Sequence, residues 1–370
     1  GMTTEEIFGF LKEQYCVGDK KAQIAYEIAC REKALLDQLD CKNGYSLYAG
    51  IPFCPSICSY CSFSSSPIAE WKDQVDRYLD AMIKELKATA KLMQGKPLDT
   101  VYIGGGTPTT LEADQLDRLL GTIRENFDLE HVLEFTVEAG RPDSITREKL
   151  EVIRKYPVTR ISVNPQTMQQ KTLDLVGRKH TVEDVEQIFH LARELGFDNI
   201  NMDLIAGLPG EDAADMQDTL EKIEKLHPDS LTVHALAIKR AAKFGQEGRT
   251  MDPGSEITQM VEAAAASAER MGLVPYYLYR QKNIAGNFEN VGYAEQDKAG
   301  VYNILIMEER QTIIACGAGS TTKLVLPEKI KTSSGKETNL IRVENVKNTT
   351  EYIDRIDEMI ERKEALFEKD

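Results

Sequence analysis

Residues 48–63 read YAGIPFCPSICSYCSF and place three cysteines within eight positions, directly after a β-rich run. Cys54, Cys58 and Cys61 form the spacing C-x-x-x-C-x-x-C. Three thiolates in one short loop can hold three corners of an iron–sulfur cube, whereas ordinary [4Fe–4S] proteins use four cysteines. One iron would then lack a protein ligand. The loop therefore predicts a cluster with one iron open to a small chelating molecule.

Other roles for these three cysteines are less compatible with the sequence. A structural zinc site needs a fourth Cys or His at ligand spacing, and the five histidines form no such pair. A disulfide would leave one of the three thiols unpaired. Unreactive core cysteines would not normally share one polar loop that contains a proline. The other four cysteines are scattered, and we expect all of them to be small buried hydrophobic residues: Cys16, Cys30, Cys41 and Cys316.

The cysteine loop follows the first of six short β-rich runs, which alternate with amphipathic helical stretches. The runs span residues 46–53, 100–106, 134–140, 159–166, 199–207 and 230–238. Strands that alternate with helices predict an α/β fold with a parallel sheet and helical crossovers. Ligands bind at the carboxyl ends of such strands. The pattern does not decide between an open sheet and a partial barrel.

Segments of different character precede and follow this alternation. Two helical stretches, near residues 5–15 and 20–39, predict an N-terminal helical segment over 1–44. The alternating core occupies 45–253. Residues 254–370 contain an alanine-rich helix, a polar strand-and-turn stretch and a charged helix near 350–368. They predict a smaller C-terminal α+β unit packed on the core.

Composition argues against several broad classes of protein. The 45 Lys and Arg residues are outnumbered by 60 Asp and Glu, and the net charge of −15 argues against broad nucleic-acid binding. No apolar run reaches the roughly 18 residues of a membrane span, and no secretory signal is recognisable. Seven cysteines, an odd number, point to a reducing compartment. We therefore expect a soluble, cytoplasmic chain.

Motifs after the cysteine loop resemble, in order, those of the radical S-adenosylmethionine (SAM) enzymes. They are YIGGGTPTTL (102–111), ISVNPQTM (161–168), VGRKHT (176–181) and DLIAGLPGE (203–211). More narrowly, they look like the oxygen-independent coproporphyrinogen III oxidase branch. HALAIKR (234–240), NVGYA (290–294) and ACGAGS (315–320) look like its HemZ-type subgroup. The resemblance implies a partial (β/α)6 barrel.

The same resemblance implies a [4Fe–4S] cluster and SAM as cofactors. SAM would chelate the open iron through its amino and carboxylate groups. An electron from the reduced cluster would then cleave a C–S bond, giving methionine and a 5′-deoxyadenosyl radical that abstracts hydrogen from substrate. The cofactors carry this chemistry, and the protein positions and shields it. An electron donor such as flavodoxin or ferredoxin is the implied protein partner.

The resemblance also implies roles for individual residues. Cys54, Cys58 and Cys61 would bind the cluster. The candidate catalytic residues are Glu138, an acceptor for the SAM ammonium, and Arg178, which would bind the SAM carboxylate. The remaining candidates are Tyr48 beside the methionyl group, Tyr60 against the adenine, Gly105, Gly106 and Thr107 at the methionine amino group, Gln166 and Asp203 at the ribose, and Ile205 and Ala237 as the adenine floor.

Each of these roles has a plainer alternative. Glu138 and Asp203 could be helix caps, and Arg178 could be a surface charge. The glycine run could simply be a tight exit from its strand, and it lacks the G-x-G-x-x-G spacing of a dinucleotide site. The common position of all these residues, after successive strands, favours the cofactor interpretation.

Two departures from the branch bear on the substrate. Decarboxylases of the branch usually carry a fourth cysteine two residues after the third, where this chain has Phe63. A related haem-binding branch also has an aromatic residue there, but its usual H-N-x-x-Y-W motif is absent before Gly317. The leading hypothesis is oxygen-independent decarboxylation of two coproporphyrinogen III propionates to vinyl groups. The alternatives are a haem or tetrapyrrole carrier and a radical SAM enzyme with another substrate.

Two acid-free stretches are candidates for binding the carboxylates of such a tetrapyrrole. Residues 230–246 and 272–288 contain no Asp or Glu, although the chain has a net charge of −15. We predict that they face each other over the cluster and that their cations bind substrate carboxylates beside aromatic walls. Solvated surface charges are the alternative. The candidate cations are Lys239, Arg240, Arg280 and Lys282.

Overall fold

The structure is a computed structural model that describes residues 2–63, 65–237, 242–243, 255–279, 289–331, 335 and 337–367. Its helices are α1 (Thr4–Tyr15), α2 (Asp19–Leu36), α3 (Val75–Leu92), α4 (Ala113–Asn126), α5 (Arg147–Arg154), α6 (Gln170–Val176), α7 (Val182–Glu194), α8 (Ala213–Leu226), α9 (Ser255–Arg270), α10 (Val301–Glu308), α11 (Thr349–Asp354) and α12 (Ile356–Phe367). Its strands are β1 (Tyr45–Ile51), β2 (Phe53–Cys54), β3 (Ser66–Pro67), β4 (Leu98–Gly105), β5 (Glu134–Gly140), β6 (Arg160–Val163), β7 (Ile200–Ala206), β8 (Ser230–Ala235), β9 (Val274–Tyr279), β10 (Asn290–Ala294), β11 (Thr312–Cys316), β12 (Thr321–Lys331) and β13 (Glu337–Glu344).

Eleven of the described strands form one sheet in the order β13-β12-β11-β1-β4-β5-β6-β7-β8-β10-β9. The six strands predicted from the sequence, β1 and β4 to β8, are parallel neighbours in chain order. Helices connect successive members of this row, which is the arrangement of a (β/α)6 unit. The described sheet has two edges, at β13 and β9, and does not close on itself. The predicted α/β fold with N-terminal helices is confirmed.

Five described strands after residue 254 extend this sheet, on both sides of the six. β11 lies parallel beside β1, with Cys316 opposite Ala49, and β12 and β13 continue antiparallel. At the other side β10 pairs antiparallel with β8, and β9 pairs with β10. These strands therefore extend the sheet of the core. The segment boundaries 1–44, 45–253 and 254–370 remain a proposal.

The core lies between the sheet and its crossover helices. The apolar face of α4 is buried, and each fully buried leucine or isoleucine contributes about 1.5–3 kcal/mol: Leu116, Leu119, Leu120 and Ile123. Thr181 caps α7, and Asp184 completes a capping box with it. Within the described ranges, no helix combines the length and apolarity needed to cross a bilayer.

Two expectations from the sequence are corrected. The charged helix near 350–368 is two helices, α11 and α12, because the backbone leaves helical geometry at Arg355 (φ −112°, ψ 25°). Cys316 is buried in β11 as expected, but Cys16 and Cys30 are exposed and Cys41 is only partly buried. The prediction that all four are buried is therefore wrong. Helical periodicity places a cysteine on a helix without showing which face meets the core, and α1 has no buried residue.

Candidate cofactor site

The cysteine loop leaves β1 at the carboxyl end of the sheet and leads to α3. Cys54 ends β2 and is partly buried, Cys58 is 8% exposed, and Cys61 is partly buried. Burial raises the pKa of Cys54 and raises the pKa of Cys61 to about 11. Without a metal these two thiols hold their protons at neutral pH. Because metals bind the thiolate, cluster binding at this loop would release protons.

The loop is fastened to the end of α6 and to a buried arginine after β5. Ser56 Oγ donates to the carbonyl of Gly177 at 2.9 Å. Arg141 is 4% exposed, and its Nη1 donates to the carbonyl and the hydroxyl of Ser56, both at 2.9 Å, and to Sγ of Cys58 at 3.7 Å. Asp143 neutralises the guanidinium through two hydrogen bonds of 2.9 and 2.6 Å. Arg141 therefore fixes the backbone of the loop and presents a positive charge to its central sulfur.

The glycine run at the carboxyl end of β4 packs directly against the cysteine loop. A Cβ on Gly106 would lie 2.5 Å from the carbonyl oxygen of Phe53 and 3.0 Å from Sγ of Cys54. Gly105 has φ of +109°, a conformation that other residues rarely adopt. Thr107 donates its N–H to the Phe53 carbonyl at 2.7 Å and its hydroxyl to Cys54 Sγ at 3.6 Å. The glycines are thus required for the close approach of this run to the cysteines.

Glu138 lies within β5 and is held by groups from β4. The hydroxyl of Tyr102 and the N–H of Gly105 both donate to its carboxylate. Burial raises the pKa of Glu138 to about 7, the hydrogen bond from Tyr102 opposes that rise, and the charge of Asp203 adds to it. A cationic ligand would favour the ionised form again. Its position inside a strand excludes the helix-cap alternative, and the same holds for Asp203 in β7.

Three tyrosine rings stand beside Glu138. The ring centroids of Tyr48 and Tyr102 are 6.2 Å apart, and Tyr302 of α10 lies 4.4 Å from Tyr102 and 6.3 Å from Tyr48. The carboxylate of Glu134 accepts the N–H of Val301 at 2.5 Å and so fixes the start of α10. The C-terminal segment therefore supplies one wall of the site.

Arg178 follows α6 and is 4% exposed, which excludes the surface-charge alternative. Its Nη1 donates to the hydroxyl of Tyr60 at 3.0 Å, and its Nη2 donates to the carbonyl of Asn164 at 2.6 Å. Tyr60, from the cysteine loop, also packs on a small apolar cluster that contains Ile205. Tyr60 therefore connects Arg178 to Ile205, a second of the three candidates for the adenine side.

The backbone of Gln166 is hydrogen-bonded to β7 through both its N–H and its carbonyl group. Its N–H donates to the carbonyl of Asp203, and its carbonyl accepts the N–H of Ile205, both at 2.9 Å. Its φ of +69° is unusual for a residue other than glycine, and such strain is common at functional sites. Burial alone would raise the pKa of Asp203, but the neighbouring His234 imidazole and the hydrogen bond from Asn201 outweigh burial and lower it.

The structure connects the predicted site residues through one continuous set of contacts. Hydrogen bonds, packing or adjacent backbone join every predicted cofactor or cluster residue to another, with the exception of Ala237, which follows β8 and packs on the main core. The predicted substrate cations Lys239, Arg240, Arg280 and Lys282 lie outside the described residues. The described parts of their two stretches meet where the hydroxyl of Tyr279 lies 3.2 Å from Nδ1 of His234.

Sequence reasoning missed four residues of this site: Arg141, Tyr102, Tyr302 and His234. Arg141 and His234 lie at or just after the carboxyl ends of β5 and β8, and that position was the available signal. Tyr102 lies on β4 just before the glycine run. Its contact with Glu138 depends on the register between β4 and β5, which the local sequence does not show. Nothing local indicates that Tyr302 reaches the site.

Comparison with known proteins identifies the family. Residues 48–223 match the model of the radical SAM superfamily. The chain is 42% identical, over 376 aligned positions, to the oxygen-independent coproporphyrinogen-III oxidase-like protein HemZ of Bacillus subtilis (strain 168), covering 100% of this chain and 74% of that protein. The chain belongs to the HemN/HemZ branch of the radical SAM superfamily.

Two further similarities place this radical SAM chain within its branch. The heme chaperone HemW of Bacillus subtilis (strain 168) is 35% identical over 62% of this chain and 62% of its own length. The solved structure of coproporphyrinogen III oxidase (HemN) from Escherichia coli matches with a TM-score of 0.67 at 23% identity, covering 89% of this chain and 73% of that one. The HemN match establishes the shared fold. The cofactors of the superfamily, a [4Fe–4S] cluster and SAM, are those of this chain.

The residues of the radical SAM site fit these two cofactors. In the described part of the chain, no three His, Cys, Asp or Glu side chains converge on a single ion. A cube binds each cysteine through a different iron, so its ligands need not converge. Three buried atoms, Asn164 Oδ1, Gln166 Oε1 and Arg178 Nε, have no hydrogen-bond partner among the described residues. Buried polar atoms are nearly always paired, so these atoms favour a polar ligand such as SAM.

Proposed function

We propose that this chain is a radical SAM oxidoreductase that converts two propionate side chains of coproporphyrinogen III to vinyl groups without oxygen, giving protoporphyrinogen IX. The observation that carries the proposal is the similarity to HemZ, a protein named as oxidase-like, over the full length of this chain. That similarity includes the C-terminal segment, which supplies Tyr302 to the site.

In the reaction, each propionate loses one hydrogen atom, one electron and CO₂. When bound, the cluster and SAM supply the 5′-deoxyadenosyl radical that takes the hydrogen atom. The electron passes to an acceptor that the sequence does not identify. The protein must therefore bind SAM in one orientation, exclude water, and hold a propionate beside the ribose.

The cofactor side of the proposal assigns one role to each group of residues. Cys54, Cys58 and Cys61 bind three irons of the cluster. Glu138 accepts hydrogen bonds from the SAM ammonium, and Arg178 pairs with its carboxylate. The other roles are those of Tyr48 at the methionyl group, Gly105, Gly106 and Thr107 at the amino group, Gln166 and Asp203 at the ribose, and Tyr60, Ile205 and Ala237 at the adenine.

The substrate side of the proposal rests on the cations of the two acid-free stretches. Lys239, Arg240, Arg280 and Lys282 bind propionate carboxylates, and β8 and β9 lead directly into the segments that carry them. Arg240→Ala and Arg280→Ala should weaken porphyrinogen binding and leave SAM cleavage intact. Unchanged porphyrinogen affinity in both variants would remove this part of the proposal.

The electron donor in the proposal is a small protein such as flavodoxin or ferredoxin. On the cysteine loop, Ile57 is 42% exposed and Phe63 is 73% exposed. Exposed apolar side chains beside the cluster ligands offer a docking surface for such a donor. The seven free thiols and the oxidant-sensitive open cluster suit the cytoplasm, where we place the reaction.

A tetrapyrrole carrier is the second candidate function, and two observations favour it. The HemW proteins, named as heme chaperones, are similar to more than half of this chain. Phe63 occupies the position of the additional cysteine of the decarboxylases, and its exposed ring is free to contact a porphyrin.

One anaerobic experiment separates these functions. The chain is reconstituted with iron and sulfide, incubated with SAM, a reductant and coproporphyrinogen, and assayed for CO₂, 5′-deoxyadenosine and vinyl product. We expect two CO₂ for each protoporphyrinogen formed. Deoxyadenosine without vinyl product would indicate another substrate, and tight haem binding without turnover would indicate a carrier. Either result would overturn the proposed decarboxylation.

A further inference from the structure

Asp203 faces an imidazole to which the family motifs assign no role. Nε2 of His234 lies 3.8 Å from Oδ2 of Asp203. Both side chains are partly open, His234 at 25% and Asp203 at 21% exposure. His234 is the fifth residue of β8 and lies opposite Ile205 of β7, so it shares the carboxyl end of the sheet with the other site residues.

The second oxygen of Asp203 is already occupied. Nδ2 of Asn201 donates to Oδ1 at 2.7 Å. Asn201 is held in turn, because its Oδ1 accepts hydrogen bonds from Ser230 at 3.1 Å and from Thr232 at 3.2 Å. The carboxylate plane is therefore fixed, and Oδ2 is the oxygen that faces His234.

Tyr279 orients the imidazole from the other side. Its hydroxyl lies 3.2 Å from Nδ1 of His234, and its ring stacks on Tyr277 with centroids 6.1 Å apart and planes 5° apart. When the Tyr279 hydroxyl donates to Nδ1, the proton of the neutral imidazole resides on Nε2. That N–H then points toward the Asp203 carboxylate.

The separation of 3.8 Å between Nε2 and Oδ2 is too long for a direct hydrogen bond and leaves a donor and an acceptor side by side. A hydroxyl group matches this pair. Its oxygen can accept a hydrogen bond from Nε2–H, and its own O–H can donate a hydrogen bond to the carboxylate. An ammonium group has no acceptor for Nε2–H, and a second carboxylate would be repelled by Asp203.

We propose that His234 is a ribose-binding residue, with one hydroxyl of the SAM ribose bridging His234 and Asp203. Tyr279 is the positioning residue that sets the tautomer of His234. The inference rests on the proposed function, since the contact of Asp203 with the ribose belongs to it. It also makes β9 of the C-terminal segment part of cofactor recognition.

The test measures SAM binding by anaerobic calorimetry on the cluster-loaded, unreduced enzyme, so that no SAM is cleaved. The ligands are SAM and its 2′-deoxy and 3′-deoxyribose analogues. We expect His234→Ala to weaken SAM binding roughly 3- to 10-fold, the effect of one hydrogen bond. The loss should vanish for the analogue that lacks the bridging hydroxyl. His234→Asn, which retains an N–H donor, should recover part of the affinity, and Tyr279→Phe should cause a smaller loss.

His131→Ala is the matched control, because His131 is exposed and precedes β5. It should bind SAM like the parent enzyme. Equal losses for SAM and both analogues in His234→Ala, or no loss at all, would overturn the inference. Failure of the parent enzyme itself to bind SAM would instead contradict the proposed function, so the two failures are distinguishable.

Discussion

The carboxylates of Glu85, which is buried, and Glu138, which is partly buried, accept different numbers of hydrogen bonds from the protein. Glu85 of α3 is 0% exposed, and each of its oxygens accepts two hydrogen bonds from protein groups. The donors are Lys363, Tyr352, Asn345 and the N–H of Gly317. Glu138 has donors from Tyr102 and Gly105, and its pKa lies near 7 because burial exceeds what they supply.

The difference separates a structural network from a ligand site. The carboxylate of Glu85 is fully used by the chain, and it ties the C-terminal helices to α3 and to the glycine turn after β11. Among the described residues, the carboxylate of Glu138 accepts hydrogen bonds only from Tyr102 and the N–H of Gly105, so it keeps acceptor capacity for a ligand. Both side chains are carboxylates shielded at least in part from solvent, so shielding and charge alone do not identify a site. The acceptor capacity that the chain leaves unused on the carboxylate itself does.

The largest effect should come from removing one cluster ligand. Cys58→Ala should abolish cluster binding and SAM cleavage, because the remaining two cysteines hold only two corners of the cube. Iron and sulfide content and the brown absorbance of the reconstituted protein measure this. Cys30→Ala is the matched control, since Cys30 is an exposed thiol on α2. Full iron content in Cys58→Ala would contradict the assignment of the loop.

The next largest effect is expected on the free energy of unfolding, when Glu85 no longer supplies a charged acceptor to its hydrogen-bond network. Glu85→Gln leaves Lys363 as a buried charge without a counter-ion and should lower the free energy of unfolding by about 3–5 kcal/mol. Urea denaturation followed by circular dichroism measures this.

Two variants control the Glu85 experiment. The double variant Glu85→Gln/Lys363→Met should recover part of the stability, because no unpaired charge remains. Lys84→Ala, which breaks an exposed ion pair with Asp357, should cost less than about 1 kcal/mol. An unchanged urea midpoint in Glu85→Gln would show that the network does not hold the C-terminal helices.

A third prediction concerns the pH dependence of SAM binding. Below pH 7 the Glu138 carboxyl is mostly protonated in the free enzyme, and above pH 7 it is mostly ionised. Because the ionised form attracts an ammonium group, SAM affinity should rise with pH through about 7 and then level off. Glu138→Gln should weaken binding roughly tenfold at pH 8, the value of a charged hydrogen bond, and should flatten this profile. A parent profile without this rise would contradict the role of Glu138.

The smallest effect is expected for Tyr102→Phe. Its hydroxyl holds the pKa of Glu138 down, so its removal should move the midpoint of the SAM affinity profile to higher pH. Affinity at pH 8 should fall only a few-fold, the effect of one hydrogen bond. Calorimetric titrations across the pH range measure the midpoint. A midpoint that moves to lower pH would show that Tyr102 does not act through Glu138.

Much of this arrangement could be predicted from the sequence, because the signals are local. The six parallel strands follow from periodicity, and the cysteine loop and GGGT run are contiguous motifs at strand ends. Parallel strands carry their carboxyl ends to one edge, so Glu138, Gln166 and Asp203 were expected near the cysteines.

The remainder depends on pairing between distant parts of the chain. No local pattern places β11 beside β1, or Tyr302 of α10 against Tyr102. In the sequence, Arg141 resembles any other charged residue. Only the fold brings its guanidinium into hydrogen-bond contact with Ser56. The unsatisfied atoms of Gln166 and Arg178 are a property of the assembled site and have no counterpart in the sequence.

The position of β11 also sets the time at which the sheet around β1 can be completed. Ser46 of β1 donates to Gln311, which is 265 positions later in the chain and immediately precedes β11. Contacts of such sequence separation form late, and synthesis releases the cysteines long before β11. We therefore expect an interval during biosynthesis in which β1, the strand that leads into the cysteine loop, has β4 as its neighbour on one side and an open edge on the other, until β11 docks.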